Sequence, residues 1–282
     1  MDFEATEVVQ GTCSAYRGGS GVNFMFLLLL IVGIIISYLP QYQRINQKRT
    51  SEGLSTSYLL LGSCSSIFTF TNIFLISTNA RKCCFSGKLS LFDCMSSLVN
   101  LVQIGTQSAC ALLILVLVVL LTRHSVRQDK EEYSRIIGVS HIVIIHAVIS
   151  TIEVIVGLSS KPSLSVGIAS FNGLCSALLT MMKYVPQIYT TYKLKHTGTL
   201  SLHMMYIQTP GGVLFAMTIM MTKGSHWSSW ISYLIACTLQ GVLLSLGVYY
   251  EHFRNDGVTA ELLERREIDR LVDDNRGQDD VI

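Results

Sequence analysis

The segment 38–55, Tyr38-Leu39-Pro40-Gln41 followed by a basic stretch and Leu54-Ser55, recurs at 184–201 as Tyr184-Val185-Pro186-Gln187, a basic stretch and Leu200-Ser201, with no gap between the copies. In each copy the Pro-Gln pair sits where a long apolar run meets positive charge. Proline lacks an N–H and its ring clashes with the carbonyl one turn back, so it kinks or ends a helix. At a membrane edge the freed carbonyls need other partners, and the glutamine that follows offers both a donor and an acceptor. The expectation is that Pro40-Gln41 closes the first helix and Pro186-Gln187 the fifth. One such proline is most simply a terminator; two in register read as a symmetric pair of hinges or gates.

The runs that lead into these motifs decide the fold class. Half of the residues are hydrophobic and 14% are charged. No Asp, Glu, Lys or Arg occurs between Arg17 and Arg44, Glu52 and Arg81, Asp93 and Arg123, Lys161 and Lys183, Lys195 and Lys223, or Lys223 and Glu251. A spanning helix needs about 20 mostly apolar residues, and strands of a membrane barrel would alternate instead. Six strong spans follow, at about 22–42, 55–78, 95–121, 164–188, 201–222 and 228–250, with a further one at about 136–157 interrupted by Glu153. The chain is expected to be an all-α polytopic membrane protein of seven transmembrane helices. If the fourth helix lies between the repeats, helices one and five run the same way. The arrangement is then two parallel three-helix units joined by a linker helix, related by an axis along the membrane normal.

The domain expectation is an outer segment 1–21, a first repeat 22–121, a loop and linker helix 122–160, a second repeat 161–250 and a tail 251–282. Acidic residues in the first 21 positions, without a basic n-region, do not resemble a cleaved signal peptide. The tail from Glu251 to Ile282 holds ten acids against five Arg/Lys and too little apolar content to fold alone, apart from a short helix around Glu261–Val272. Arg44, Lys48, Arg49, Arg123, Arg127, Lys130, Arg135, Lys193, Lys195 and Arg254 would share one side, which favours a lumenal or external N-terminus and a cytosolic C-terminus. The eight cysteines form no CxxC pair and no Cys/His cluster at zinc spacing, so no metal site is expected. Cys64, Cys110, Cys175 and Cys237 fall in spans, whereas Cys13, Cys83, Cys84 and Cys94 lie on or near the lumenal side, where disulfides are permitted. Sequence leaves their pairing open, including free Cys83 and Cys84.

The chain resembles the PQ-loop repeat family of membrane proteins, most like a fungal-type member. The resemblance rests on Tyr38-Leu39-Pro40-Gln41 with Thr50-Ser51-Glu52-Gly53-Leu54-Ser55, and on Lys183-Tyr184-Val185-Pro186-Gln187 with Thr197-Gly198-Thr199-Leu200-Ser201. It covers about residues 22–250. The family includes vacuolar and lysosomal amino-acid exporters similar to cystinosin, and SWEET carriers and the KDEL receptor share the wider fold. The second copy looks most similar to the cystinosin-like carriers, through Lys183 and the Gly211-Gly212 pair. In those carriers an aspartate implicated in proton coupling stands three residues before the glycines. Here that position is Gln208, which cannot titrate and so cannot carry a proton.

Polar residues inside spans must find partners, so their positions are informative. Ser65, Thr69 and Asn72 share a face of helix two, and Asn100, Gln103 and Gln107 a face of helix three. Asn172, Ser176, Thr180 and Lys183 form a stripe on helix five, and Gln208, Thr209 and Gln240 follow later. Such stripes either line a central cavity or join helices by hydrogen bonds. Asn72, Asn172, Lys183, Tyr184 and Gln208 are the candidate cavity residues. Lys183 either snorkels to the interface or attracts an anionic group. His146 and Glu153 share a face of helix four and are a candidate proton-responsive pair, although a linker helix should lie outside the cavity, which favours a structural contact. No catalytic constellation, nucleotide fingerprint or cofactor motif is present, and neither enzyme activity nor nucleic-acid binding is expected.

The leading expectation is a secondary transporter of a small polar, amino acid-like solute in an endomembrane, vacuolar, lysosomal or Golgi-endosomal, with the plasma membrane as an alternative. A receptor or trafficking factor that does not transport is the second reading. A lipid scramblase, using the small polar residues Gly62, Ser63, Ser65 and Ser66 of helix two as a groove, is the third. Oligomeric state is not legible in the sequence.

Overall fold

The computed structural model describes residues 13–19, 21–49, 51, 56–123, 130–194, 202–222 and 225–250. Most of the expected N-terminal segment, the loop 124–129, the acidic tail with its short helix, and the Leu54-Ser55 and Leu200-Ser201 ends of the two motifs lie outside the described residues. Among the described residues there are eight helices and no strand: α1 (Gly21–Lys48), α2 (Thr56–Ile76), α3 (Thr78–Phe85), α4 (Leu91–Thr122), α5 (Lys130–Ser159), α6 (Pro162–Leu194), α7 (Leu202–Met221) and α8 (Trp227–Val248). Helices are the expected solution because each satisfies its own backbone where lipid offers no partner. Six of the eight, α1, α2, α4, α5, α6 and α8, contain stretches long and apolar enough to cross a membrane, and α7 holds the shorter apolar stretch Met205–Met221. This is a multi-pass membrane protein.

Two groups of helices have the same internal order. α4 packs against both α1 and α2, and α8 packs against both α6 and α7. The groups meet chiefly through α2 and α6, with a lighter contact between α1 and α7. α5 leans mainly on α2. Its other side exposes Ile144, Ile145, Val148, Ile152 and Ile155, a face suited to acyl chains.

The α5 face that carries His146, Ser150, Glu153 and Gly157 is turned inward. The His146 ring packs on Phe68 with centroids 4.2 Å apart. A Cβ at Gly157 would meet Leu75 Cδ2 at 2.7 Å, so α5 and α2 approach closely there.

The two Pro-Gln motifs do not close their helices. α1 continues from Pro40 to Lys48, and α6 from Pro186 to Leu194. The side chains of Pro186 and Gln187 are not among the described ones. A proline inside a helix removes one hydrogen bond, and tertiary packing can hold the helix on both sides of that gap. Beyond Pro40, the Tyr42 hydroxyl donates to the Cys110 carbonyl at 2.7 Å, and Ile45 is buried in the core shared by α1, α2, α4 and α5. Beyond Pro186, Ile188 packs against Met205 of α7 and Leu243 of α8. The expected terminators are therefore interior positions, with the same length of helix beyond each.

The opposite end of the bundle is covalently stapled. Cys13 bonds to Cys83 and Cys84 to Cys94. Successive residues on a helix project about 100° apart, so the adjacent Cys83 and Cys84 of α3 reach different partners. The N-terminal segment is also held by Asp93, whose Oδ1 accepts from the backbone of Gly18 at 3.0 Å and Gly19 at 3.4 Å. Gly18 has φ +76°, a left-handed conformation that favours glycine. Ser90 caps α4 by accepting from the Asp93 amide at 3.1 Å. Cys64, Cys110, Cys175 and Cys237 are free.

Candidate functional site

A cavity of about 360 Å³ lies between the two helix groups. α1, α2, α4, α6, α7 and α8 all contribute to its wall, and α5 does not. It occupies the half of the bundle nearer the Pro-Gln motifs, reaching Tyr38 on α1, Tyr58 on α2 and Tyr184 on α6. Among its described lining residues no Asp or Glu occurs, and Lys183 carries the one formal charge.

Lys183 does not extend to a carboxylate. The one ion pair among the described residues joins Glu131 and Arg135, both exposed on α5. The Lys183 ammonium instead lies 4.7 Å from the ring centroid of Tyr58 and 4.7 Å from that of Tyr184, within the range of cation–π attraction. From Tyr184 a polar chain crosses the second helix group. Its hydroxyl donates to Gln240 Oε1 at 3.4 Å, and Gln240 Nε2 donates to Gln208 Oε1 at 3.2 Å. Gln208 and Gln240 both line the cavity. Lys183, Tyr184 and Gln208 are thus brought together.

A second polar cluster joins the groups across α2 and α6. Ser65 Oγ lies 3.0 Å from Ser176 Oγ and 3.2 Å from Thr180 Oγ1, and Thr69 Oγ1 lies 2.5 Å from Ser176 Oγ. These hydroxyls line the cavity while bonding to one another.

Asn72 and Asn172 do not line the cavity, which corrects the expectation for both. Asn72 is 1% exposed. Its Nδ2 donates to the Ala169 carbonyl at 2.7 Å and to Ser228 Oγ at 2.8 Å, and its Oδ1 accepts from Ser229 Oγ at 2.8 Å. Asn172 Nδ2 donates to Glu153 Oε2 and to the Ile168 carbonyl, each at 2.9 Å. The reason is steric. A Cβ at Gly173 would lie 2.3 Å from the Ser228 carbonyl oxygen, so α6 and α8 come too close at this level to leave a cavity. Polar stripes that line the cavity near the Pro-Gln motifs become interhelical contacts farther on. His146 and Glu153 lie off the cavity as well, each engaged with its own partner, Phe68 and Asn172 respectively.

The inner end of the cavity is shut by an apolar cluster of Ile73, Ile104, Phe215 and Ile219, with Tyr233 packed on Phe215 at 4.6 Å between centroids. Beyond this plug, on the disulfide side, lies a small pocket bordered by Asn100 and Ser225. Asn100 Oδ1 and Ser225 Oγ are buried there without hydrogen-bond partners, as are both polar atoms of Gln103 elsewhere on α4.

Tyr58 and the plug residues were not singled out by sequence reasoning. Tyr58 stands in the first turn of an apolar helix, and nothing in its local pattern marks it. The repeat register does supply a signal for the wall. Superposing Tyr38 on Tyr184 also superposes Ser37 on Lys183 and Gly62 on Gln208, and all four line the cavity.

The PQ loop repeat family model matches the chain twice, over residues 22–80 and 168–238. The chain is a PQ-loop repeat membrane protein. The two matches contain the two Pro-Gln motifs and most of the cavity-lining residues. A protein of Schizosaccharomyces pombe described as uncharacterized is 29% identical over 244 residues, covering 82% of this chain and 81% of its own length. The solved structure of a eukaryotic SWEET transporter is similar in fold, with a TM-score of 0.51 at 14% identity, covering 86% of this chain and 99% of its own. The PQ-loop protein therefore has a transporter-like fold.

Proposed function

We propose that this PQ-loop protein is a secondary transporter that moves a small polar, amino acid-like solute by alternating access. The observation that carries the reading is the cavity between the two helix groups, walled by both and by no residue of α5. In this reading α1, α2 and α4 (about 22–121) form one repeat, and α6, α7 and α8 (about 161–250) form the other. α5, within 122–160, is the linker, giving seven spans in a 3+1+3 order. The likeness in fold to a protein described as a transporter is in keeping with it.

In the state described, the plug of Ile73, Ile104, Phe215 and Ile219 bars the disulfide side, and the cavity reaches toward the Pro-Gln side. Transport requires the reverse arrangement in turn. Pro40 and Pro186, each with helix continuing beyond it, act as hinges within α1 and α6. An interior proline suits this role because the missing hydrogen bond lowers the cost of bending at one fixed place. The basic loops favour a cytosolic Pro-Gln side, with the disulfides facing the lumen of a vacuolar, lysosomal or Golgi-endosomal compartment.

The test is uptake and counterflow in proteoliposomes holding the purified full-length protein, with a panel of small polar solutes and a known carrier run in parallel. Saturable flux that Pro40→Ala and Pro186→Ala slow without loss of folded protein is expected. No flux of any solute, with the parallel carrier active, would refute the transporter reading.

A further inference from the structure

The helices around the plug are not held to one another equally. Asn72 of α2 bonds to the Ala169 carbonyl of α6 and to Ser228 and Ser229 at the start of α8. The close approach at Gly173 leaves α6 and α8 no room between them. At plug depth α2, α6 and α8 are therefore knit together. α4 and α7 are not. Ile104 of α4 shares an apolar cluster with Phe215 and Ile219 of α7, and among the described residues no hydrogen bond, ion pair or disulfide joins these two helices. The disulfides tie the N-terminal segment, α3 and α4 to one another and leave α7 outside.

The unpartnered polar atoms follow the same division. Asn100 and Gln103 of α4 are 5% and 0% exposed, and Asn100 Oδ1 and both amide atoms of Gln103 lack hydrogen-bond partners. Unpaired polar groups in an apolar interior are costly, so a second state that satisfies them is favoured by that cost. Residues three or four apart share a helix face. Asn100 borders the small pocket beyond the plug, Ile104 belongs to the plug, and Gln107 and Ser108 line the cavity. One face of α4 thus runs past the barrier from end to end, with Gln103 one turn from both Asn100 and Gln107. Across the seam, just after α7, Ser225 adds a buried hydroxyl without a partner.

We infer that the barrier on the disulfide side opens along the seam between α4 and α7, and that Asn100, Gln103 and Ser225 then contact the solute on that half of its route. This rests on the transporter reading above and locates its second gate. As described, the pocket beyond the plug holds about 30 Å³ against about 360 Å³ for the cavity, too little for an amino acid-like solute. Parting of α4 from α7 joins the two spaces, while the knit side of α2, α6 and α8 stays closed as the fulcrum. The three side chains offer amides and a hydroxyl, each with a donor and an acceptor and none with a formal charge. They suit the uncharged hydrogen-bonding groups of a polar solute.

Gln103→Leu separates this role from a structural one, because leucine keeps much of the bulk and removes the amide. Its melting temperature, measured on the purified full-length protein, should equal or exceed that of the unmodified protein. Counterflow of the solute panel used above, with glutamine and serine among its members, should fall at least fivefold. A melting temperature lower by more than about 2 °C would show that the amide already has partners and overturns the inference. Unchanged counterflow overturns it too. With the four free cysteines removed, a crosslink between Ile104→Cys and Ile219→Cys should stop counterflow; flux that continues with the crosslink formed places the gate elsewhere and overturns the inference. A third readout does not depend on flux. A membrane-impermeant maleimide applied from the disulfide side, with glutamine and serine on both sides, should label Gln103→Cys, and the crosslink should prevent it. If the unmodified protein moves no solute of the panel, the transporter reading falls. Labelling that the crosslink blocks then still supports opening along this seam, and absence of labelling overturns it.

Discussion

Gly173 on α6 is the position where a single methyl group should do the most damage. A Cβ there would lie 2.3 Å from the Ser228 carbonyl oxygen, 2.8 Å from Ser228 Cβ and 3.0 Å from Asn72 Nδ2. The first contact is with backbone, so no side-chain rotation relieves it. α6 and α8 must separate, and the Asn72 bonds to Ala169 and Ser228 must stretch with them. Overpacking of a tight contact costs about 1–3 kcal/mol, and weakening a buried hydrogen-bonded group adds about 1 kcal/mol, so Gly173→Ala should cost about 3 kcal/mol. For a chain of this size that lowers the melting temperature by roughly 6–12 °C, measured on detergent-purified protein. Two other glycines calibrate the result. Gly157→Ala meets Leu75 Cδ2 at 2.7 Å, the end of a flexible side chain, and should cost distinctly less. Gly62→Ala finds nothing nearer than Lys183 Cδ at 4.0 Å and should be neutral or slightly stabilising. Adding Ser228→Ala to Gly173→Ala should not rescue stability, because the obstructing carbonyl remains. A melting temperature for Gly173→Ala within about 2 °C of the unmodified protein, or rescue by Ser228→Ala, would refute the reasoning.

Three further outcomes are expected. Asn72→Ala removes three buried hydrogen bonds that join α2 to α6 and α8; at about 0.6 kcal/mol per interhelical bond in a membrane it should cost about 2 kcal/mol, without altering solute preference, and a change of preference at unaltered stability would show that Asn72 faces the solute after all. Non-reducing peptide mapping should recover Cys13–Cys83 and Cys84–Cys94, and loss of the first, which closes a separation of 70 residues against 10, should destabilise more by about 1–2 kcal/mol on the chain-entropy scale; a Cys83–Cys84 bond would contradict the structure. With Cys64, Cys110, Cys175 and Cys237 removed, Gln208→Cys should react with a hydrophilic maleimide and Ile219→Cys, at 0% exposure in the plug, should not; the reverse order would mean that the barrier lies elsewhere.

Much of this was legible along the chain because membrane embedding imposes one-dimensional constraints. Charge-free runs long enough to span could only be helices, and the gapless recurrence of Tyr-x-Pro-Gln announced a duplicated unit. The register of that duplication pairs Lys183 with Ser37 and Gln208 with Gly62, and the structure places all four on the cavity wall. The ends of the proline-bearing helices were misread because local rules treat proline as a breaker. Whether a helix survives one missing hydrogen bond depends on what holds it afterwards, here Tyr42 on Cys110 and Ile188 against Met205 and Leu243.

Sequence by itself determined the class of protein, the repeat, and the polar stripes on each helix. It could not say how far along each stripe the helices stand apart. That was decided by close approach at Gly173, where the backbones of α6 and α8 come together and turn Asn72 and Asn172 into interhelical contacts. It was decided also by Tyr58, which arrives from another helix to share the Lys183 ammonium with Tyr184. A helical stripe fixes the direction in which a side chain projects; the presence of space or another helix in that direction is a property of the assembled bundle.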